Sequence, residues 1–175
     1  MKFEYRIPLV AILLIGTLFA KAQNPVDFEL SSATDKSRFV LSEAKGKFVA
    51  LHFLLKTECP YCLLHTHDYL SKAASLPNVI QVFIKPDTEE EIEEWAKGLP
   101  EEELAQFPIF RDPEAKLAAQ FNIPDGYGFH NQFVHYPALI LLGPDGKEVF
   151  RYIGKNNTDR YPFEKFKIKV QELSQ

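Results

Sequence analysis

The chain has 175 residues, of which 46% are hydrophobic, and a formal net charge of −4. That length and apolar content exclude a disordered chain and fit one domain with a substantial core. The acidic balance, with no basic stripe anywhere, excludes a nucleic-acid footprint.

Lys2 and Arg6 flank an apolar run from Ile7 to Ala20, and Ala20-Lys21-Ala22 has the small-x-small form of a cleavage site. The run is short for a membrane span and suits a signal peptide. Residues 1–22 are therefore expected to be removed, leaving 23–175 as one exported domain in a bacterial periplasm or outside the cell, with no stable membrane association. An uncleaved anchor is the alternative, which the shortness of the run opposes. No cysteine follows the run, so a lipid anchor is not indicated.

Phe28–Leu30 and Arg38–Leu41 read as short strands around a polar turn, and Gly46-Lys47 leads into an apolar strand, Phe48 to Leu55. Apolar on both faces, that strand should be central and covered on both sides. Next comes Cys59-Pro60-Tyr61-Cys62, which holds the chain's only two cysteines. A helix is expected from Pro60 to about Ala74, with proline at its first position and with Leu63, Leu70 and Ala74 on its buried face. A thiol at a helix start meets unpaired N–H groups and the positive end of the dipole, which favour the thiolate. A second thiol three residues on can attack a mixed disulfide formed at the first. Such a short loop is a poor structural staple, so the pair reads as redox chemistry.

Val79–Ile84 is a second buried strand. Thr88 to Glu91 is a capping box that opens a helix with Ile92 and Trp95 inward, and its glutamates read as a solvated first turn that suits the dipole, not a metal site. A polar, weakly helical stretch follows to Phe107, then a short strand at Ile109–Arg111. Asp112 is expected to cap a helix from Pro113, with Leu117, Ala118 and Phe121 inward. Asn122 to His135 reads as a long glycine- and aromatic-rich loop whose length suggests a lid or a functional role. Tyr136-Pro137 precedes a strand at Ala138–Leu142, a turn at Pro144-Asp145-Gly146, a return strand at Glu148–Ile153 and a last helix from Pro162 to Leu173, with Phe163, Phe166, Val170 and Leu173 on one side. Alternation followed by a hairpin and a helix gives an α/β fold with a mixed sheet flanked by helices.

The strand–CPYC–helix unit, the Tyr136-Pro137 step and the terminal hairpin together resemble the thioredoxin-fold superfamily across nearly all of 23–175. In that superfamily the matching proline is cis and faces the CxxC, a role the resemblance gives to Pro137. The layout is most similar to the peroxiredoxin (alkyl hydroperoxide reductase/thiol-specific antioxidant) branch. Asp112-Pro113 through Phe121 resembles its D-P-x-x-x-x-A-x-x-[FY] helix, and Phe53 to Cys62 aligns without a gap on F-Y-P-K-x-x-T-P-G-C of the bacterioferritin-comigratory type. That alignment puts a peroxidatic cysteine on Cys62. Leu55 then replaces a proline and Cys59 the threonine that orients peroxide, and no arginine stands around His135–Ala138. Both losses count against fast peroxide reduction.

The resemblance and the dithiol imply an exported thiol–disulfide oxidoreductase acting on protein thiols and disulfides or a small thiol, with no cofactor. Cys59 is the expected exposed nucleophile and Cys62 resolves. Pro60, Tyr61 and Tyr136 should border the substrate, with Tyr136 offering backbone groups to a substrate strand. Glu58 would oppose the dipole beside Cys59. A thiol peroxidase is the alternative. Copper or zinc handling by Cys59, Cys62, His65 and His67 is a second alternative, although such histidines more often sit at the surface and tune the thiols. His52 is expected to be a hydrogen-bonded core histidine and a candidate proton manager for Cys62. Tyr127 and His130 could border the site, and Arg160 is expected to pair with a surface carboxylate.

Overall fold

A computed structural model describes residues 27–56, 59–129 and 132–175. The expected signal peptide, Glu58 and His130 lie outside the described residues. The sheet that carries the site has five strands: β3 (Phe48–Phe53), β4 (Val79–Lys85), β5 (Ile109–Arg111), β8 (Ala138–Leu142) and β9 (Glu148–Ile153), in the spatial order β5-β4-β3-β8-β9. Strands β3, β4 and β5 are parallel, whereas β8 runs antiparallel to β3, and β9 to β8. A separate antiparallel pair, β1 (Glu29–Ser31) and β2 (Arg38–Val40), abuts the β5 edge through Ser32 and Phe110.

Strand β3 is central because all six of its residues are buried. Its side chains alternate between faces, and two apolar layers result. Phe48, Ala50 and Leu54 join one layer with Cys59, Cys62 and Tyr69. On that face lie the helices α1 (Pro60–Leu70), α2 (Glu89–Ala96) and α5 (Phe163–Leu173). Val49, Leu51 and Phe53 join the other layer with Leu117 and Phe121 around α4 (Lys116–Gln120). Helix α3 (Glu101–Leu104) is a single polar turn.

Four local expectations change. Helix α1 ends at Leu70 and buries Cys62, Thr66, Tyr69 and Leu70, leaving Ala74 exposed beyond its end. Spacings of four, three and one residues place Cys62 on the inward stripe, which rotates Leu63 toward the edge. The helix after Asp112 is delayed. Pro113–Ala115 makes a 3-10 turn in which Glu114 and Ala115 take positive φ (61° and 53°), and only then does α4 begin. Asp112 still serves it, accepting from the N–H groups of Leu117 (2.8 Å) and Ala118 (3.0 Å). The stretch expected to be a long loop is instead a hairpin of β6 (Asp125–Phe129) and β7 (Gln132–His135). Gly126 allows it to close on Tyr136, whose ring would lie 2.9 Å from a Cβ there. Leu173, expected on the inward side of α5, is partly exposed, while Phe163, Phe166 and Val170 are buried as expected.

Candidate active site

The dithiol sits where strand β3 hands over to α1. Pro60 opens the helix, and Cys59 caps it with its own sulfur, which accepts from the Cys62 N–H at 3.2 Å. Cys59 and Cys62 are joined in a disulfide with their Cα atoms 5.2 Å apart. Leu55 donates its N–H to Cys62 Sγ at 3.4 Å, so the strand end and the helix start grip the same pair. Cys62 is fully buried. Cys59, expected to be exposed, is only 8% exposed, because in the disulfide its side chain turns inward toward its partner. Pro60 and Tyr61 are exposed on the flank of the helix start.

The largest departure from the sequence reading is Arg160. Its Nη2 lies 3.1 Å from Cys62 Sγ and 3.4 Å from Cys59 Sγ. The loop after β9 is built to deliver it. Arg160 Nη1 donates to the carbonyls of Asn157 and Asp159. Asp159 is held in turn by the Tyr152 hydroxyl (2.7 Å) and the Lys155 N–H (2.9 Å), and the N–H first and then the hydroxyl keep its carboxyl below the ordinary value. Tyr69 of α1 ties down the following residue through its hydroxyl, which donates to Tyr161 O at 2.9 Å. Gly154 donates to Pro137 O at 2.8 Å and passes so close that a Cβ would lie 2.5 Å from Asp159 O and 2.8 Å from Pro137 Cγ. The contacts that join Arg160 to the sulfurs span 101 and 98 residues, so no local sequence signal marks its role.

Pro137 is buried and lines a narrow crevice with Arg160, His65 and Tyr161. The described residues hold no cis peptide bond, so the expectation of a cis Tyr136–Pro137 link is corrected to trans. The trans form is the usual state of an X–Pro bond, and it is framed on both sides. Tyr136 N donates to Pro124 O, His135 Nδ1 to Tyr136 O at 2.7 Å, and Gly154 N to Pro137 O. Both backbone groups of Tyr136 are thus engaged within the chain.

An imidazole pair, one ring buried and one partly exposed, links β3 to α1. His52 is fully buried, as expected of a core histidine, with Nε2 2.8 Å from Gln81 Oε1 and Nδ1 3.0 Å from His65 Nε2. Burial pushes the His52 pKa down to about 4, opposed by the Gln81 hydrogen bond. Burial, then His52 and Arg160, push the His65 pKa well below its ordinary value. Both rings are therefore neutral near pH 7. With the amide oxygen assigned toward His52, Nε2–H donates to Gln81, and Nδ1 must accept from His65 Nε2–H. His65, expected at the surface, is drawn inward by this bond because it lies three residues past Cys62 on the same helix face. His67 turns outward to Glu103, 3.0 Å away. With both cysteines in a disulfide and His67 elsewhere, the described residues contain no group of three or more His, Cys, Asp or Glu side chains placed to share a metal ion.

A buried lysine was also missed. Lys85 ends β4 with no exposure; its Nζ donates to Leu55 O at 2.6 Å and lies 3.2 Å from Asp87 Oδ2. Burial pulls its pKa down against the raising effect of Asp87. The only hint in the sequence is that Lys85 continues the alternation of Gln81 and Phe83 toward the α1 face. Around the sulfurs, then, a guanidinium, a strand-end N–H and the first turn of α1 converge. This set can stabilise sulfur as a thiolate and ease cleavage of the disulfide.

The sequence pattern of the AhpC/TSA family matches residues 22–149, which spans the dithiol and Pro137 but stops short of Arg160. No curated protein matches the chain. Among solved structures, it is similar to AhpC of Enterococcus faecalis (21% identity, 88% of this chain and 91% of that one, TM-score 0.70). It is likewise similar to a cysteine-to-serine mutant of PrxQ from Xylella fastidiosa (15% identity, 87% and 93% covered, TM-score 0.67). A third likeness is to the pneumococcal exposed lipoprotein thioredoxin of Streptococcus pneumoniae (23% identity, 84% and 99% covered, TM-score 0.66). At these identities the structural likeness speaks for the fold, which is thioredoxin-like, while the matched family speaks for the chemistry. The chain belongs to the AhpC/TSA family and is a thioredoxin-fold thiol oxidoreductase.

Proposed function

We propose that this protein is an exported thiol–disulfide oxidoreductase, residues 23–175 after removal of a signal peptide, which exchanges disulfides with protein thiols or a small thiol. The observation that carries the reading is the Cys59–Cys62 disulfide at the start of α1 with Arg160 against both sulfurs. A partner thiolate attacks Cys59 Sγ, the less deeply buried sulfur. The new bond joins Cys59 to the partner, and the electron pair of the broken bond leaves on Cys62 as a thiolate. Arg160 Nη2 and the Leu55 N–H already face that sulfur and stabilise the charge. A second partner thiolate then displaces Cys59, leaving the dithiol and an oxidised partner. The reverse sequence oxidises a partner dithiol. Pro60 and Tyr61 supply the exposed flank for the partner, and Pro137 the wall of the crevice on the other side.

Equilibration in glutathione redox buffers, followed by alkylation and mass spectrometry, tests this reading. A reversible two-electron couple between about −120 and −270 mV is expected, and Cys62→Ser should trap a mixed disulfide on Cys59. If no intramolecular disulfide forms, the mechanism fails.

The family and Arg160 together favour a second reading, peroxide reduction. Cys62 thiolate would attack a peroxide oxygen, release an alcohol or water and become a sulfenic acid. The Cys59 thiol would then condense with it, releasing water and forming the same disulfide. Arg160 supplies the donor that Cys59, standing in place of threonine, does not. Peroxide turnover that survives in Cys62→Ser excludes this reading.

A further inference from the structure

We propose that the outward face of α1 beside the disulfide is a docking surface for a protein partner that carries its thiol among apolar and basic side chains. The inference rests on the thiol-exchange reading above and names the substrate class within it, a cationic protein in place of a small thiol.

Tyr61 and Leu64 lie three residues apart on α1 and so share one face. They are 49% and 67% exposed, and Leu64 is the most exposed large hydrophobic among the described residues. The other exposed large hydrophobics, Val149, Ile168 and Leu173, belong to β9 and α5. A lone apolar side chain at a surface needs no explanation. Two on one face of the helix that the reacting sulfur caps make a contact patch continuous with the site of exchange.

The charge beside the patch selects the partner. Leu63 leans onto the turn after α2, where a Cβ on Gly98 would lie 3.0 Å from both of its δ carbons. Three residues past Leu64, His67 Nδ1 meets the Glu103 carboxylate at 3.0 Å. These two contacts seat α2 and α3 along the flank of α1. From Glu89 to Glu103 that strip carries eight glutamates and one lysine, more negative charge than the net −4 of the whole chain. The lysine, Lys97, pairs with Glu94, and Glu89, Glu90, Glu93, Glu101 and Glu102 are all exposed. An apolar centre with a charged rim is the anatomy of a protein interface. The acidic rim attracts lysines and arginines and repels an anionic lipid surface. A second copy docked by the same face would set one glutamate strip against another. The partner's sulfur meets the opposite field, because Arg160 lies against the disulfide and draws in the attacking thiolate.

Two cysteine peptides of equal length, each with one phenylalanine and flanked by lysines or by glutamates, provide the test. Each is reacted with the oxidised protein, and its rate is divided by its own rate with hydroxyethyl disulfide, which removes differences in intrinsic thiol reactivity. The lysine peptide should react about tenfold faster in about 10 mM salt, and the advantage should shrink to about twofold in about 0.5 M salt. Joint replacement Glu101→Gln and Glu102→Gln should cut the advantage by about threefold, and Leu64→Ser should slow both peptides by about threefold. Neither change should alter the rate with 2-mercaptoethanol, which has no charge and little apolar body. Equal normalised rates for the two peptides, an advantage that persists in high salt, or peptide rates unmoved by both sets of substitutions would each overturn the proposal. A dimer that sediments as such and is lost in Leu64→Ser would overturn it too, by assigning the face to a second copy. Reaction with 2-mercaptoethanol but no preference between peptides would overturn the docking surface alone, whereas no reaction with any thiol would overturn the thiol-exchange reading along with it.

Discussion

Replacing Arg160 by methionine keeps much of the side chain's length and removes the guanidinium that touches both sulfurs. In the disulfide, Nη2 at 3.1 and 3.4 Å meets nearly neutral acceptors; in the dithiol it meets a thiolate, and the contact becomes charge-assisted. Hydrogen bonds to charged groups contribute about 1.5–3 kcal/mol. Arg160 is partly exposed, so the lower half of that range is the appropriate one. A loss of about 1.5–2.2 kcal/mol from the reduced form corresponds to about 32–47 mV in a two-electron couple. The sign follows from which form is stabilised: Arg160 favours the thiolate-bearing reduced form, so Arg160→Met should lower the potential and make the protein the stronger reductant. The pH midpoint of iodoacetamide alkylation should rise by about one unit in the same variant. Both quantities are read at equilibrium in glutathione buffers and by mass spectrometry, with Arg160→Lys retaining part of the effect. A potential within about 10 mV of wild type, with an unmoved alkylation midpoint, would refute an electrostatic role and leave Arg160 as packing.

Gly154→Ala should destabilise the fold by about 1–3 kcal/mol in urea, because the new Cβ meets Asp159 O at 2.5 Å; it should also move the potential in the direction of Arg160→Met, since Asp159 is displaced with it. His52, with its pKa lowered to about 4 by burial, takes up its proton more readily when unfolded. The unfolded chain therefore binds more protons between pH 6.5 and 4, and stability falls as pH falls through that window, by on the order of 3 kcal/mol from this residue alone. Urea midpoints at pH 7 and pH 4.5 check this, and His52→Phe should flatten the difference. Lys85→Met removes the cation buried beside Asp87 and should cost about 3–5 kcal/mol, whereas Lys85→Met with Asp87→Asn should recover part of that; equal losses in the single and double variants would contradict an ion-pair origin.

The sequence alone determined most of the framework. The doubly apolar run of β3, the Thr88–Glu91 capping box, which forms with both of its reciprocal hydrogen bonds, and the proline opening α1 are local signals whose physics acts within a turn or a strand. The dithiol was legible for the same reason, since two thiols three residues apart at a strand–helix junction need no distant partner to be read as redox-active. Tertiary structure decided what surrounds the sulfurs. Arg160 is separated from Cys59 by 101 residues, and it arrives because β9 turns back beside β8 and Gly154 lets the following loop press on Pro137. His65 turns inward because His52, on the adjacent strand, offers it an acceptor, while His67 two residues on faces the solvent. The Asn122–His135 stretch read as a loop because glycines and aromatics carry no strong alternation, and it pairs as a hairpin only where Tyr136 fills the space beside Gly126. Short-range hydrogen-bonding rules fix elements and their ends. Which charges meet a buried sulfur depends on how those elements pack, and no local pattern encodes that.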